Sequence, residues 1–115
     1  MKAKRVDANQ KGIAEQAKEL GISYQSLHEL GKGCPDAIFG YSGINLFVEI
    51  KDGKNDLNEL QIEYHKNWNG QIVVIRDIVD LVKEFNERLE YKTNLGLGLL
   101  KMMIKEFEEK TGETL

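Results

Sequence analysis

The chain has 115 residues, 41% hydrophobic and 30% charged, with 16 Lys and Arg against 19 Asp and Glu, one Cys and one Pro. That length supports one hydrophobic core without staples, and a single Cys excludes an intramolecular disulfide. No run approaches the roughly 18 apolar residues of a membrane span, and a net charge of −3 excludes a bulk-charge DNA binder while leaving room for an enzyme that acts on DNA.

The basic start, residues 1–12, has no apolar stretch behind it, so no signal peptide is expected and the expected compartment is a reducing cytoplasm. Residues 1–34 hold six Lys or Arg and four acids, residues 35–85 five and nine, and residues 86–115 five and six. The excess acid is central, where a metal-dependent site would keep its carboxylates.

In chain order, a helix is predicted over Asn9 to Leu20, because Ile13, Ala14, Ala17 and Leu20 form one apolar stripe and Gly21 stops it. Asp7 or Asn9 can cap it. Ile22 to Glu29 reads as a strand and Gly31-Lys32-Gly33-Cys34-Pro35 as a loop. A β-hairpin follows: Asp36 to Phe39, a turn at Gly40-Tyr41-Ser42-Gly43, then Ile44 to Lys51. Leu57, Leu60, Tyr64 and Trp68 imply a second helix, ended by Gly70. The apolar run within Gln71 to Arg76 reads as a strand covered on both faces. A third helix is expected from Val79 to Glu90, with Val82, Phe85 and Leu89 facing in. After a break at Thr93-Asn94-Leu95-Gly96, a separate helix from Leu97 to Lys110 carries Leu100, Met103, Ile104 and Phe107 on one stripe. The order αβββαβ plus helices predicts an α/β protein with a mixed central sheet flanked by helices.

The hairpin register decides which side chains share a face. With Tyr41 and Ser42 at the turn centre, Gly40 lies opposite Gly43 and Asp36 opposite Phe47. Alternation then puts Asp36, Phe47, Glu49 and Lys51 on one face and Leu46, Val48 and Ile50 on the other. Asp36 and Glu49 become diagonal neighbours, about 7–8 Å apart at Cα. Two such carboxylates repel each other unless a cation neutralises them, and Mg²⁺ is bound by one or two carboxylates with water completing its shell. A lysine beside them can orient an attacking water or offset charge on a phosphate.

Pro35-Asp36, followed by Glu49-Ile50-Lys51, resembles the PD-(D/E)XK nuclease signature, and the predicted element order resembles that superfamily's core. The longer string Arg5-Val6-Asp7-Ala8-Asn9-Gln10, Ser26 through Asp36, Val48 through Gly53, then Gln61, resembles the small stand-alone VRR-NUC-type proteins of phages and prophages. The resemblance covers residues 5–85. It implies a restriction-endonuclease-like domain over residues 1–92 with a C-terminal helical extension over 93–115, acting in a bacterial host cell. It also implies a Mg²⁺- or Mn²⁺-dependent endonuclease for branched DNA, four-way (Holliday) junctions among them, working as a homodimer. Asp36 and Glu49 would be metal ligands, Ile50 would add its carbonyl, and Lys51 would be the catalytic lysine. Gln61 matches a glutamine that the family places near that lysine. Where many members carry a Glu in the first helix, this chain has Gln10, with Glu15 as the nearby acid. The alternative is a non-cleaving DNA-structure-binding module, or an interaction subunit of a phage replication or restriction complex.

Other residues carry two readings each. Lys32, between two glycines, either approaches a phosphate or sits in a plain turn. Ser26 and His28 share a parity and either point toward the site or are ordinary strand residues, His28 a satisfied strand histidine. Tyr24, Tyr41 and Trp68 either stack on splayed bases or belong to a core or interface. Cys34, with no partner at zinc spacing, reads as a buried thiol, and His65 as exposed.

Overall fold

The computed structural model describes residues 8–114, with backbone alone for 93–97. Asp7, one of the two expected caps, and the Arg5-Val6-Asp7 start of the resembling string lie outside the described residues. The chain divides into two units, residues 1–85 and 86–115.

The first unit is a mixed α/β layer structure. Helix α1 spans Ala8–Glu19, strands β1 to β4 span Ser23–Ser26, Ala37–Tyr41, Ile44–Ile50 and Ile72–Ile75, and helix α2 spans Glu59–Asn67. The strands lie in the order β1-β2-β3-β4; β1, β2 and β3 pair antiparallel, and β4 pairs parallel to β3. The parallel pairing follows from α2, the crossover that a parallel connection requires. A final helix, α3, runs unbroken over Ile78–Thr111.

One face of the sheet makes the core. Ala37, Phe39, Leu46, Val48, Ile50, Val73 and Ile75 are buried there, with Ile13 and Ala17 of α1 and Leu81 and Phe85 of α3. Contacts across the layers agree: Tyr41 meets Phe85 edge-on at 5.9 Å, and Gln10 of α1 donates to the hydroxyl of Tyr24, whose ring packs on Phe39. Helix α2 covers the opposite face, where Trp68 at its C-terminus meets Phe47 at 4.5 Å.

Helix α1 ends as the sequence implies. Gly21, at φ +77°, allows Ile22 N–H to bond the Ala17 carbonyl and Gly21 N–H the Lys18 carbonyl, a Schellman closure. Asn9 lies inside α1 rather than capping it, and Leu20 is exposed, the buried stripe being Gln10, Ile13 and Ala17.

Three further expectations differ from the structure. The first strand stops at Ser26, and His28 to Leu30 form a 3₁₀ turn. The run Ile72 to Ile75 in β4 is covered on one face, with Val73 and Ile75 buried and Val74 exposed; four apolar residues in a row do not by themselves say how many faces are buried. The break predicted at Thr93 to Gly96 is helical, since helix propensity and hydrogen bonding on both sides carry α3 through these residues. No helix among the described residues is long and apolar enough to cross a membrane.

Candidate active site

The turn between β2 and β3 sets the site. Tyr41 pairs with Ile44, leaving Ser42 and Gly43 as the two central residues, both at positive φ (51° and 82°). That is the signature of a type I′ hairpin, which favours Gly at a left-handed position. The turn centre therefore lies one residue later than Tyr41-Ser42, and cross-strand partners shift by two. A shift of two preserves parity, so every side chain keeps its predicted face. It also tightens the cluster: continuing the Ala37–Val48 pairing by one step places Asp36 opposite Glu49, instead of diagonal to it.

Asp36 stands where β2 begins, after the buried Pro35. Its Oδ2 accepts from the Ile50 backbone N–H at 2.7 Å, in the place a strand partner would occupy. In an extended strand a residue's N–H and C=O face the same edge, so the Ile50 carbonyl faces Asp36 too. Gln10, 2% exposed, donates from Nε2 to the Asp36 carbonyl at 3.4 Å and to the Tyr24 hydroxyl at 2.8 Å. In this arrangement Gln10 supports the backbone of Asp36.

Glu49 is 2% exposed, on a sheet face otherwise only partly covered. Its Oε1 accepts from Gln61 Nε2 at 2.6 Å and lies 3.6 Å from Lys51 Nζ. Its Oε2 is buried without a hydrogen-bond partner among the described residues. Burial, reinforced by the charge of Asp36, pushes the Glu49 carboxyl up to about 7; Lys51 and the nearby Asp36 N–H pull it back only in part.

Gln61 is held from both ends. Asn58 caps α2: Asn58 Oδ1 accepts from Gln61 N–H at 2.9 Å, and Gln61 Oε1 accepts from Asn58 N–H at 3.0 Å. The box fixes the amide, leaving Nε2 to meet Glu49. The spacing Asn58-x-x-Gln61 is the sequence signal that would have found Asn58, which the motif reading passed over.

A cleft of about 210 Å³ opens beside Asp36 and Gln61, with Gln10, His28, Lys32 and Asn58 among its lining. Glu49 and Lys51 do not line it; Glu49 meets it through Gln61, and Lys51 pairs with Glu49. Lys32 sits at the rim in a tight turn closed by Cys34 N–H to the Gly31 carbonyl, and it takes φ +54° although it is not glycine. Gly33 cannot be replaced easily: a Cβ there would lie 2.5 Å from the Leu60 carbonyl oxygen. The turn is thus pressed against the first turn of α2. Ser26 Oγ and His28 Nδ1 bond each other at 2.7 Å, joining the end of β1 to the start of the 3₁₀ turn.

Three residues differ from their sequence reading. Cys34 is half-buried and lines the cleft; burial, with the nearby Cys34 thiol, pushes the Tyr64 hydroxyl above its ordinary pKa. His65 is also half-buried; its Nε2 is buried without a hydrogen-bond partner among the described residues, and burial together with the Lys51 charge lowers its pKa. Leu60, expected on the apolar stripe of α2, is exposed.

Whether these residues suit a divalent cation can be judged from their donors. Among the described residues no group of three or more His, Cys, Asp or Glu comes together. The set is two carboxylates and one backbone carbonyl, all hard oxygens, with Glu49 Oε2 lacking a partner. That suits Mg²⁺, which keeps much of its water and needs few protein ligands. Comparison with family models, curated proteins and solved structures found no match. The functional reading therefore stands on the site itself.

Proposed function

We propose that this protein is a Mg²⁺- or Mn²⁺-dependent DNA endonuclease of the PD-(D/E)XK type, hydrolysing phosphodiesters in branched or distorted DNA such as four-way junctions. One observation carries the reading: a buried Glu49, one oxygen without a partner, beside Lys51 and next to the Ile50 N–H that the Asp36 carboxylate accepts from. Burying a carboxylate against a second acid is unfavourable without a neutralising partner, and Lys51 at 3.6 Å leaves Oε2 unsatisfied. The αβββαβ order with a mixed sheet supports a restriction-endonuclease-like fold.

Asp36, Glu49 and the Ile50 carbonyl would hold the cation, which when bound polarises the phosphoryl group and lowers the pKa of coordinated water. Lys51 presents an ammonium to the charge that builds on the phosphate. Gln61 fixes the Glu49 carboxylate, and Gln10 fixes the backbone of Asp36. The negative net charge makes binding to plain duplex weak and sensitive to salt, so selectivity rests on DNA shape.

The test is incubation of labelled duplex, nicked, flap and four-way-junction DNA with Mg²⁺, Mn²⁺ or EDTA. Metal-dependent cleavage lost in Asp36→Ala and Glu49→Ala supports the reading. Cleavage that survives either substitution overturns the mechanism. Binding without cleavage favours the second reading, a non-cleaving DNA-structure-binding module, to which one observation lends weight: Gln10 stands where an acid would strengthen a metal site, and its amide nitrogen is engaged by Tyr24 and Asp36.

The second unit supports a homodimer. Its helix exposes Leu99, Leu100, Met102, Met103 and Phe107, a density of apolar side chains that a single helix cannot bury on itself. Two strands cut with symmetry require two sites related by a two-fold axis.

A further inference from the structure

On the sheet face that carries Asp36 and Glu49, the next cross-strand pair is Ile38 and Phe47. Two residues of strand separate the pairs, roughly 7 Å. Ile38 and Phe47 are not core; with Leu46, Trp68, Asn45 and Gln71 they line a second, mainly apolar pocket of about 380 Å³. Trp68 is 41% exposed there, yet it is held rigidly. Tyr64 stacks on it with the ring planes 12° apart, Phe47 packs at 4.5 Å, and Gly70 lies so close that a Cβ would come within 2.7 Å of the indole Nε1. At the rim, the Gln71 side-chain amide donates to the Asn45 backbone carbonyl at 3.2 Å, so the two polar residues of the lining adjoin each other.

Resting on the nuclease reading above, we propose that this pocket is a nucleobase subsite: it takes one unpaired base of the DNA strand whose phosphate lies at Asp36 and Glu49. Three features select a base over other occupants. The pocket continues the same sheet face as the acid pair, at about the reach of one nucleotide of extended strand. Its walls are aromatic and β-branched, as stacking on a planar ring requires, and its volume falls in the range of small-ligand sites. Its polar lining comes from the adjoining residues Asn45 and Gln71, where the hydrogen-bonding edge of a base would find donors and acceptors. A base paired in intact duplex cannot enter, so the subsite selects DNA with unpaired or extruded nucleotides near the cut.

Trp68 is the only tryptophan in the chain, which gives the pocket its own reporter. The experiment titrates the full chain, in EDTA so that no cleavage occurs, with a 12-residue oligothymidylate and with an abasic strand of the same length, reading Trp68 emission. Saturable quenching by oligothymidylate, at a midpoint at least tenfold lower than for the abasic strand and lost in Phe47→Ala, is expected. Equal responses to the two strands overturn the subsite, as does a Trp68 emission that changes only with protein concentration, which would assign the pocket to a second copy. The cleavage assay in Mg²⁺ separates this outcome from the nuclease reading. Base-dependent quenching without cleavage keeps the subsite and removes the nuclease, while cleavage without base-dependent quenching does the reverse.

Discussion

Gln61 donates from Nε2 to Glu49 Oε1 at 2.6 Å while its own carbonyl oxygen accepts from the Asn58 backbone N–H. A helix cap and a buried acid thus share one amide. Because the cap orients that amide, the stability of the first turn of α2 and the geometry of Glu49 are coupled, and a substitution outside the acid pair can reach it. The relationship generates a specific expectation. Asn58→Ala removes the acceptor for Gln61 N–H and should lower stability by about 1 kcal/mol. It should also lower kcat for metal-dependent cleavage several-fold, whereas Asn58→Asp, which keeps the acceptor, should leave both close to the native values. Urea unfolding paired with single-turnover cleavage would check this; an Asn58→Ala protein with lower stability and unchanged cleavage would break the coupling.

Glu49 makes stability depend on pH with a defined sign. Its carboxyl titrates at about 7 in the folded chain against 4.5 when exposed, so between these values the unfolded state releases a proton that the folded state retains. Stability from this group is full below about pH 4.5 and falls as pH rises toward 7. Glu49→Gln removes the titration, so in EDTA the variant should exceed the native chain by roughly 1–3 kcal/mol at pH 8 and match it near pH 4.5. Denaturant melts of both proteins across this window measure the difference directly, and a constant offset at all pH values would rule out the burial argument. Mg²⁺, by favouring the ionised form, should narrow the gap for the native chain.

Gly33→Ala combines two penalties: a residue with Cβ at φ +79°, and a contact of 2.5 Å with the Leu60 carbonyl oxygen. We expect a loss of at least about 1–2 kcal/mol. Gly53→Ala, at φ +50° with open space around the Cβ, lacks the second penalty and should lose less. Thermal denaturation of the two variants side by side tests the ranking; equal losses would mean that the loop moves away from α2 at little cost.

Lys51→Ala should reduce cleavage by two or more orders of magnitude while leaving the fold intact, because Lys51 is partly exposed and its backbone N–H still bonds the Ile75 carbonyl. Lys51→Arg should restore little, since a guanidinium has a different shape and donor geometry. Single-turnover assays with circular dichroism as a folding control decide the point. Substantial activity in Lys51→Ala would take the lysine out of the mechanism.

For the second unit, Leu100→Asp with Met103→Asp should shift the mass in light scattering from dimer to monomer at micromolar protein without altering the core of the first unit. A monomeric mass for the native chain at all concentrations would remove the dimer.

Much of the fold was legible because local rules agree with one another. Gly21 at the end of an apolar stripe, the alternation through Ile44 to Ile50, and the four apolar residues from Ile72 each specify an element that the structure contains. The errors of burial share a cause. Leu20, Leu60 and Val74 are apolar and in phase, yet they are exposed, because periodicity states which residues share a face and not whether another layer covers it. At Thr93 to Gly96 local breaker residues suggested a stop, but helix carries through them.

The sequence by itself determined which residues can stand together: a period of two puts Asp36, Glu49 and Lys51 on one strand face whether the turn centre falls at Tyr41-Ser42 or at Ser42-Gly43. Tertiary structure decided what that face is for. Only the packing of α2 over β3 buries Glu49, brings Gln61 to one of its oxygens, and leaves the other without a partner. Only the same packing places Trp68 over Phe47, beside the acids. The reason is physical: strand alternation is a property of the local backbone, whereas desolvation depends on which distant segment arrives to exclude the water.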